Sequence, residues 1–124
     1  MDQKIRIGVV GGNFGEVHIQ GFRHCPEVEV TAVCRRQEEL AKQMAQKYEI
    51  QRYYTDFQQM IEAAELDAVS LAVPNGLHYP MAVQALENSK HVICEKPLAL
   101  TVKEAETMLT KAKKRNGSIR LCSI

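Results

Sequence analysis

Short apolar runs alternate along the chain with stretches of helical spacing. Ile5–Val10 is rich in β-branched residues and runs straight into Gly11-Gly12, the pattern of a buried strand ending in a tight turn. The spacing then predicts a helix over Phe14–His24, stopped before Pro26. Val28–Cys34 reads as a second strand and Gln37–Tyr48 as a helix with a polar outer face. Arg52–Tyr54 predicts a short edge strand, followed by a helix over Asp56–Ala64 with Thr55 or Asp56 as its N-cap. Asp67–Val73 makes a fourth strand ended by Pro74-Asn75-Gly76. Leu77–Glu87 then makes a helix and His91–Cys94 a fifth strand. Thr101 caps a helix reaching Arg115, with Glu104 completing a capping box. Asn116-Gly117 closes that helix, and Ile119–Ser123 begins a last strand.

Strands alternating with helices predict an α/β fold: a parallel sheet with helices on both faces. In such a sheet ligands bind beyond the strand C-termini, where strand order reverses. That edge collects Gly11–Gly15, Arg35–Arg36, Pro74–His78 and Glu95–Pro97. The unusual clusters of the chain therefore converge on one edge.

The length of 124 residues fits one domain, residues 1–124. A net charge of +1 gives no pull towards nucleic acid or an anionic membrane. The basic run Lys111–Arg115 is accounted for by a helix C-terminus. No apolar run near the N-terminus is long enough for a signal peptide or a membrane span. The four cysteines form no CxxC pair and no metal-ligand spacing with the four histidines, so no metal is expected and a reducing cytoplasm is the expected location.

The loop GGNFG between the first strand and helix departs from the dinucleotide-binding fingerprint GxGxxG. In that motif the first glycine makes the turn, the second lets backbone approach pyrophosphate, and the third lets helix and strand pack closely. Gly11, Gly12 and Gly15 remain, the loop is one residue short, and Asn13 falls at the second glycine's place. Asn visits left-handed backbone more readily than most residues, so the turn is expected to survive. The cradle expected here comprises Gly11, Gly12, Asn13, Phe14 and Gly15. A glycine turn with no ligand is the alternative.

The end of the second strand bears on the choice of cofactor. NAD-specific folds place an acid there, roughly 20 residues past the loop, to accept from the ribose 2′-hydroxyl. This chain has Cys34-Arg35-Arg36, with no carboxylate before Glu38. A guanidinium binds a 2′-phosphate in a bidentate fork, so NADP(H) is favoured, with NAD(H) left open.

The segments VPNGLH and KHVICEKPLALT, together with GGNFGEVH and TAVCRR, resemble the N-terminal domain of the Gfo/Idh/MocA oxidoreductases from Ile5 to the last strand. The resemblance implies a Rossmann doubly wound sheet and hydride transfer between a nicotinamide and a sugar, inositol or related polyol. It also implies that Val73, Pro74, Asn75 and His78 lie beside the cofactor's ribose and nicotinamide. Lys96 of the Glu95-Lys96-Pro97 tripeptide is the implied catalytic residue, with Glu95 orienting it or meeting the ribose and Pro97 fixing the turn in a cis bond. Read from the residues alone, His78 equally starts a helix, and Lys96 is a surface lysine after a strand. His18 reads as a packing residue of the first helix.

Family members continue into a second α/β domain that carries most substrate contacts. The resemblance therefore implies a chain lacking that domain, one that binds NADP(H) with little or no turnover unless a separate C-terminal domain joins it. A non-catalytic dinucleotide-binding module or truncated remnant is the other reading. A Rossmann-like methyltransferase also has a glycine-rich first turn but calls for an acid where Arg35 stands.

Overall fold

The computed structural model describes residues 4–63, 65–95, 102–114 and 119–122. The elements run β1 Ile5–Val10, α1 Asn13–Phe22, β2 Val28–Cys34, α2 Glu38–Lys47, β3 Arg52–Tyr54 and α3 Phe57–Ala63. They continue as β4 Ala68–Leu71, α4 Asn75–Glu87, β5 His91–Glu95, α5 Val102–Lys114 and β6 Ile119–Cys122. The six strands form one parallel sheet in the order β3-β2-β1-β4-β5-β6. Strand order reverses between β1 and β4, and β3 is an edge strand, as its length and polarity suggested. The architecture is the Rossmann doubly wound fold.

Two apolar layers cover the two faces. Ile7, Val9 and Val33 point to one side, where Ile19 of α1, Met44 and Ala45 of α2 and Tyr48 just beyond α2 close over them. Val10, Ala32 and Cys34 point to the other, against Met60 and Ile61 of α3, Ala82 and Leu86 of α4 and Ala112 of α5. Neighbouring strand residues face opposite ways, so a continuous apolar run such as Ile7–Val10 is what a sheet covered on both faces requires. Burying each large aliphatic side chain of these layers stabilises the fold by about 1.5–3 kcal/mol.

The ends of the helices show where local chemistry decides. Asp56, not Thr55, caps α3: its Oδ2 accepts from the Gln59 N–H at 2.9 Å. Helix α4 starts at Asn75, two residues earlier than the spacing predicts. Pro74, at φ −55° and ψ 149°, serves as N-cap, and its carbonyl accepts from Leu77 N–H at 2.9 Å. Pro80 consequently lies inside the helix. Helix α1 ends at Phe22, and Arg23–Pro26 turns the chain into β2. The Thr101 cap and the Asn116-Gly117 stop lie outside the described residues. Among the described residues no helix is long and apolar enough to cross a membrane.

Candidate functional site

The β1–α1 turn stands at the centre of the sheet's C-terminal edge. Gly11 has φ +118°, and a Cβ there would lie 2.0 Å from the carbonyl oxygen of Ala72, just past β4. Only glycine fits, because both the backbone conformation and the space exclude a side chain. Gly11 N–H donates to Cys34 O at 3.1 Å and Ala72 N–H to Val10 O at 2.8 Å, so the turn is tied to both neighbouring strands.

Asn13 does not take the left-handed place that the short loop suggested. It is the first residue of α1, with Gly12 as N-cap, and among the described residues the positive-φ position of this turn belongs to Gly11. The deletion is absorbed by starting the helix at once, which leaves the half-buried Gly12 in the close-approach position. A Cβ on Gly12 would lie 2.7 Å from Nη2 of Arg35. Gly15 packs inward: a Cβ there would meet Met44 Cε at 3.2 Å and Val9 Cγ1 at 3.4 Å. That is the helix–strand packing role of the third glycine.

A cleft of about 510 Å³ opens beside this turn. Gly11, Gly12, Arg35, Arg36, Val73 and Pro74, all singled out in the sequence, line it. Leu40, Phe57, Leu77 and Met81 supply an apolar wall, with Gln37 and Thr55 at the polar side. Of these six only Leu77, within the Pro74–His78 cluster, was anticipated at this edge. Phe57 could have been, as the first residue after the Asp56 cap at the same sheet edge. The volume is that of a small-molecule site. Apolar walls suit an adenine, and a turn bare of side chains at a helix N-terminus suits a pyrophosphate.

Among the described residues, the charged side chains of the lining are Arg35 and Arg36, and no carboxylate lines the cleft. Glu16, in the first turn of α1, accepts from Lys47 Nζ at 2.7 Å and Tyr48 OH at 2.8 Å. These two hydrogen bonds hold its carboxyl below the ordinary range, with the Arg35 charge adding to them. Cys34 at the floor is buried, and desolvation pushes its thiol up to about 11, so it is a neutral apolar surface at physiological pH.

Other sequence candidates lie apart from the cleft. His78 is 1% exposed, and its Nε2–H donates to Val73 O at 2.9 Å, bracing the turn that forms one wall. Phe14 is 56% exposed on α1. His18 is buried against β4, its Nδ1 2.6 Å from Ser70 Oγ, as a packing residue would be. Glu95 ends β5, paired with Cys122 of β6, and Asn75 opens α4. Lys96 and Pro97 lie outside the described residues. Among the described residues no group of His, Cys, Asp or Glu could hold a metal ion.

The model of the Gfo/Idh/MocA oxidoreductases, described by an NAD-binding Rossmann fold, matches residues 5–121. The chain belongs to this family. It is similar to the NADP(+)-dependent scyllo-inositol 2-dehydrogenase IolU of Bacillus subtilis, 36% identical over 93% of this chain and 35% of that protein. It also resembles levoglucosan dehydrogenase of Pseudarthrobacter phenanthrenivorans, 31% identical over 92% of this chain and 32% of the relative. Scyllo-inositol dehydrogenase from Lactobacillus casei, solved with NAD(H) and scyllo-inositol bound, superposes with a TM-score of 0.87 at 25% identity, over 96% of this chain and 36% of its own. The chain thus spans about a third of the length of these Gfo/Idh/MocA relatives. It corresponds to their NAD-binding Rossmann domain, and the cleft at the β1–β4 switch point fits a nicotinamide dinucleotide.

Proposed function

We propose that this domain binds NADP(H) in preference to NAD(H), as the cofactor-holding part of an oxidoreductase acting on a sugar, inositol or related polyol. The observation that carries the preference is the cleft lining, with Arg35 and Arg36 and, among the described residues, no carboxylate. An acid at the end of β2 would accept from a ribose 2′-hydroxyl and repel a 2′-phosphate. Two guanidinium groups do the reverse. The relatives differ in the cofactor their names carry, so the residues at this position bear the weight of the reading.

In this reading Gly11 and Gly12 leave room for the pyrophosphate, Val73 and Pro74 lie beside the ribose, and Arg35 and Arg36 hold the 2′-phosphate. The nicotinamide, when bound, supplies the hydride acceptor or donor. Lys96 is the catalytic residue, orienting the substrate hydroxyl and sharing its proton, with Glu95 orienting the lysine and Pro97 fixing the turn. His78 acts through Val73, holding that wall in place. A cytoplasmic location accords with free access to nicotinamide cofactors.

Titrating the chain with NADPH and NADH by calorimetry tests the cofactor assignment. NADPH is expected to bind at least about tenfold more tightly, the worth of one charge-assisted hydrogen-bond pair. Equal affinities, or tighter NADH, overturn it.

A further inference from the structure

Gly12 has a neighbour that its motif role does not explain. The three heavy atoms nearest to a Cβ built on Gly12 are Nη2, Cζ and Nε of Arg35, at 2.7, 3.2 and 3.6 Å. All three belong to one guanidinium, so that group lies against the loop with its central carbon as well as two nitrogens. The backbone of Arg35 is pinned independently: its N–H donates to Tyr54 O at 3.0 Å, holding it at the end of β2. The side chain therefore leaves a fixed base and crosses to the β1–α1 turn, ending over the one residue there whose missing side chain makes room. Both residues line the same cleft.

We propose that Gly12 is a positioning residue for Arg35. The bare backbone seats the guanidinium, and that seat determines how strongly a 2′-phosphate is preferred. A methyl group at position 12 meets only the far end of a flexible side chain, so the arginine swings away while the fold persists. The inference rests on the reading of Arg35 as a 2′-phosphate ligand, and it gives the glycine loop a part in discrimination as well as in pyrophosphate binding.

The test uses probes that carry no pyrophosphate. Adenosine 2′-monophosphate and adenosine 5′-monophosphate are titrated, by chemical-shift perturbation, into the wild-type chain, Gly12→Ala, Arg35→Gln and the double variant. The expected result is that Gly12→Ala and Arg35→Gln each weaken the 2′-monophosphate by about tenfold. The double variant should be no weaker than Arg35→Gln, and the 5′-monophosphate should shift much less. If Arg35→Gln weakens the 2′-monophosphate and Gly12→Ala does not, the positioning role is overturned while the arginine reading stands. If Arg35→Gln changes nothing, both fall. Should Gly12→Ala fail to fold, Arg35→Lys decides the matter, because it keeps the charge but loses the planar group that the glycine seats. Affinity as low as that of Arg35→Gln supports the proposal, and wild-type affinity overturns it.

Discussion

Arg6 and Arg35 sit at opposite ends of the same sheet, and their surroundings differ in kind. At the N-terminal end Arg6 Nε lies 3.3 Å from Asp67 Oδ2 and Nη1 lies 3.0 Å from Glu65 Oε2. Asp67 Oδ2 also accepts the backbone N–H of Arg6 at 2.8 Å, and Lys90 Nζ caps the Leu66 carbonyl at 2.9 Å. Charge there is matched within the fold and joins β1 to the start of β4. At the C-terminal end Arg35 and Arg36 line a cleft with no carboxylate among the described residues of its walls. One end of the sheet uses arginine to hold strands together, and the other presents it to a cleft.

The sharpest break between the two ends should come at the turn itself. Gly11→Ala drives a Cβ into the Ala72 carbonyl at a positive φ, and is expected to cost about 3 kcal/mol or more in urea unfolding. Gly12→Ala, one residue on, should cost under about 1 kcal/mol, because its obstacle is a side-chain end that can move. Comparable losses for the two would contradict the packing described here.

Next in size is the effect on ligand. Arg35→Gln with Arg36→Gln should weaken NADPH by about 1.5–3 kcal/mol and leave NADH within about threefold, at unchanged thermal stability. A loss shared equally by both cofactors would place the arginines on the pyrophosphate instead.

Asp67→Asn should do the opposite and alter stability without altering cofactor affinity. Its side chain is 41% exposed and the remaining amide oxygen can still accept from Arg6 N–H, so the loss is held to under about 1 kcal/mol. Weakened NADPH binding in this variant would mean that the two ends are coupled.

The smallest expected effect is in acid. The backbone N–H and guanidinium of Arg6 hold Asp67 below its ordinary value of 3.8, and Lys47 and Tyr48 hold Glu16 below 4.5. Both carboxylates are more acidic folded than unfolded, so their stabilisation is present above those ordinary values and is lost as pH falls through the depressed ones. Urea midpoints measured from pH 6 down to pH 3 should fall, and should fall less steeply in Asp67→Asn. Parallel profiles would leave Asp67 without a part in the acid limb.

The strands were legible because a sheet covered on both faces needs segments rich in β-branched residues, and Ile5–Val10 and Val28–Cys34 are such segments. The glycine turn, the two arginines and Pro74 could be assigned to one edge from the alternation alone. Helix starts were less legible. Pro74-Asn75-Gly76 carries turn residues, yet Pro74 supplies the extended cap from which α4 begins directly. Asn13 has the chemistry of a left-handed residue, but a loop one residue short gives it to the helix. The apolar wall was legible only in part. Leu40, Phe57 and Met81 come from three helices, and no local spacing marks them as neighbours.

The parallel pairing of β1 with β4 carries a consequence for assembly. Val10 meets Leu71 across the switch point, some sixty positions apart in sequence, and Gly11 closes on Ala72 immediately beyond. The cleft walls come from both sides of that seam, Arg35 and Leu40 from one half of the chain and Pro74 and Met81 from the other. The first half brings the glycine turn and the arginines and the second the facing wall, so the complete cleft comes into being only when the halves dock. A bound dinucleotide would act as a clasp across them and raise the unfolding temperature in step with its concentration.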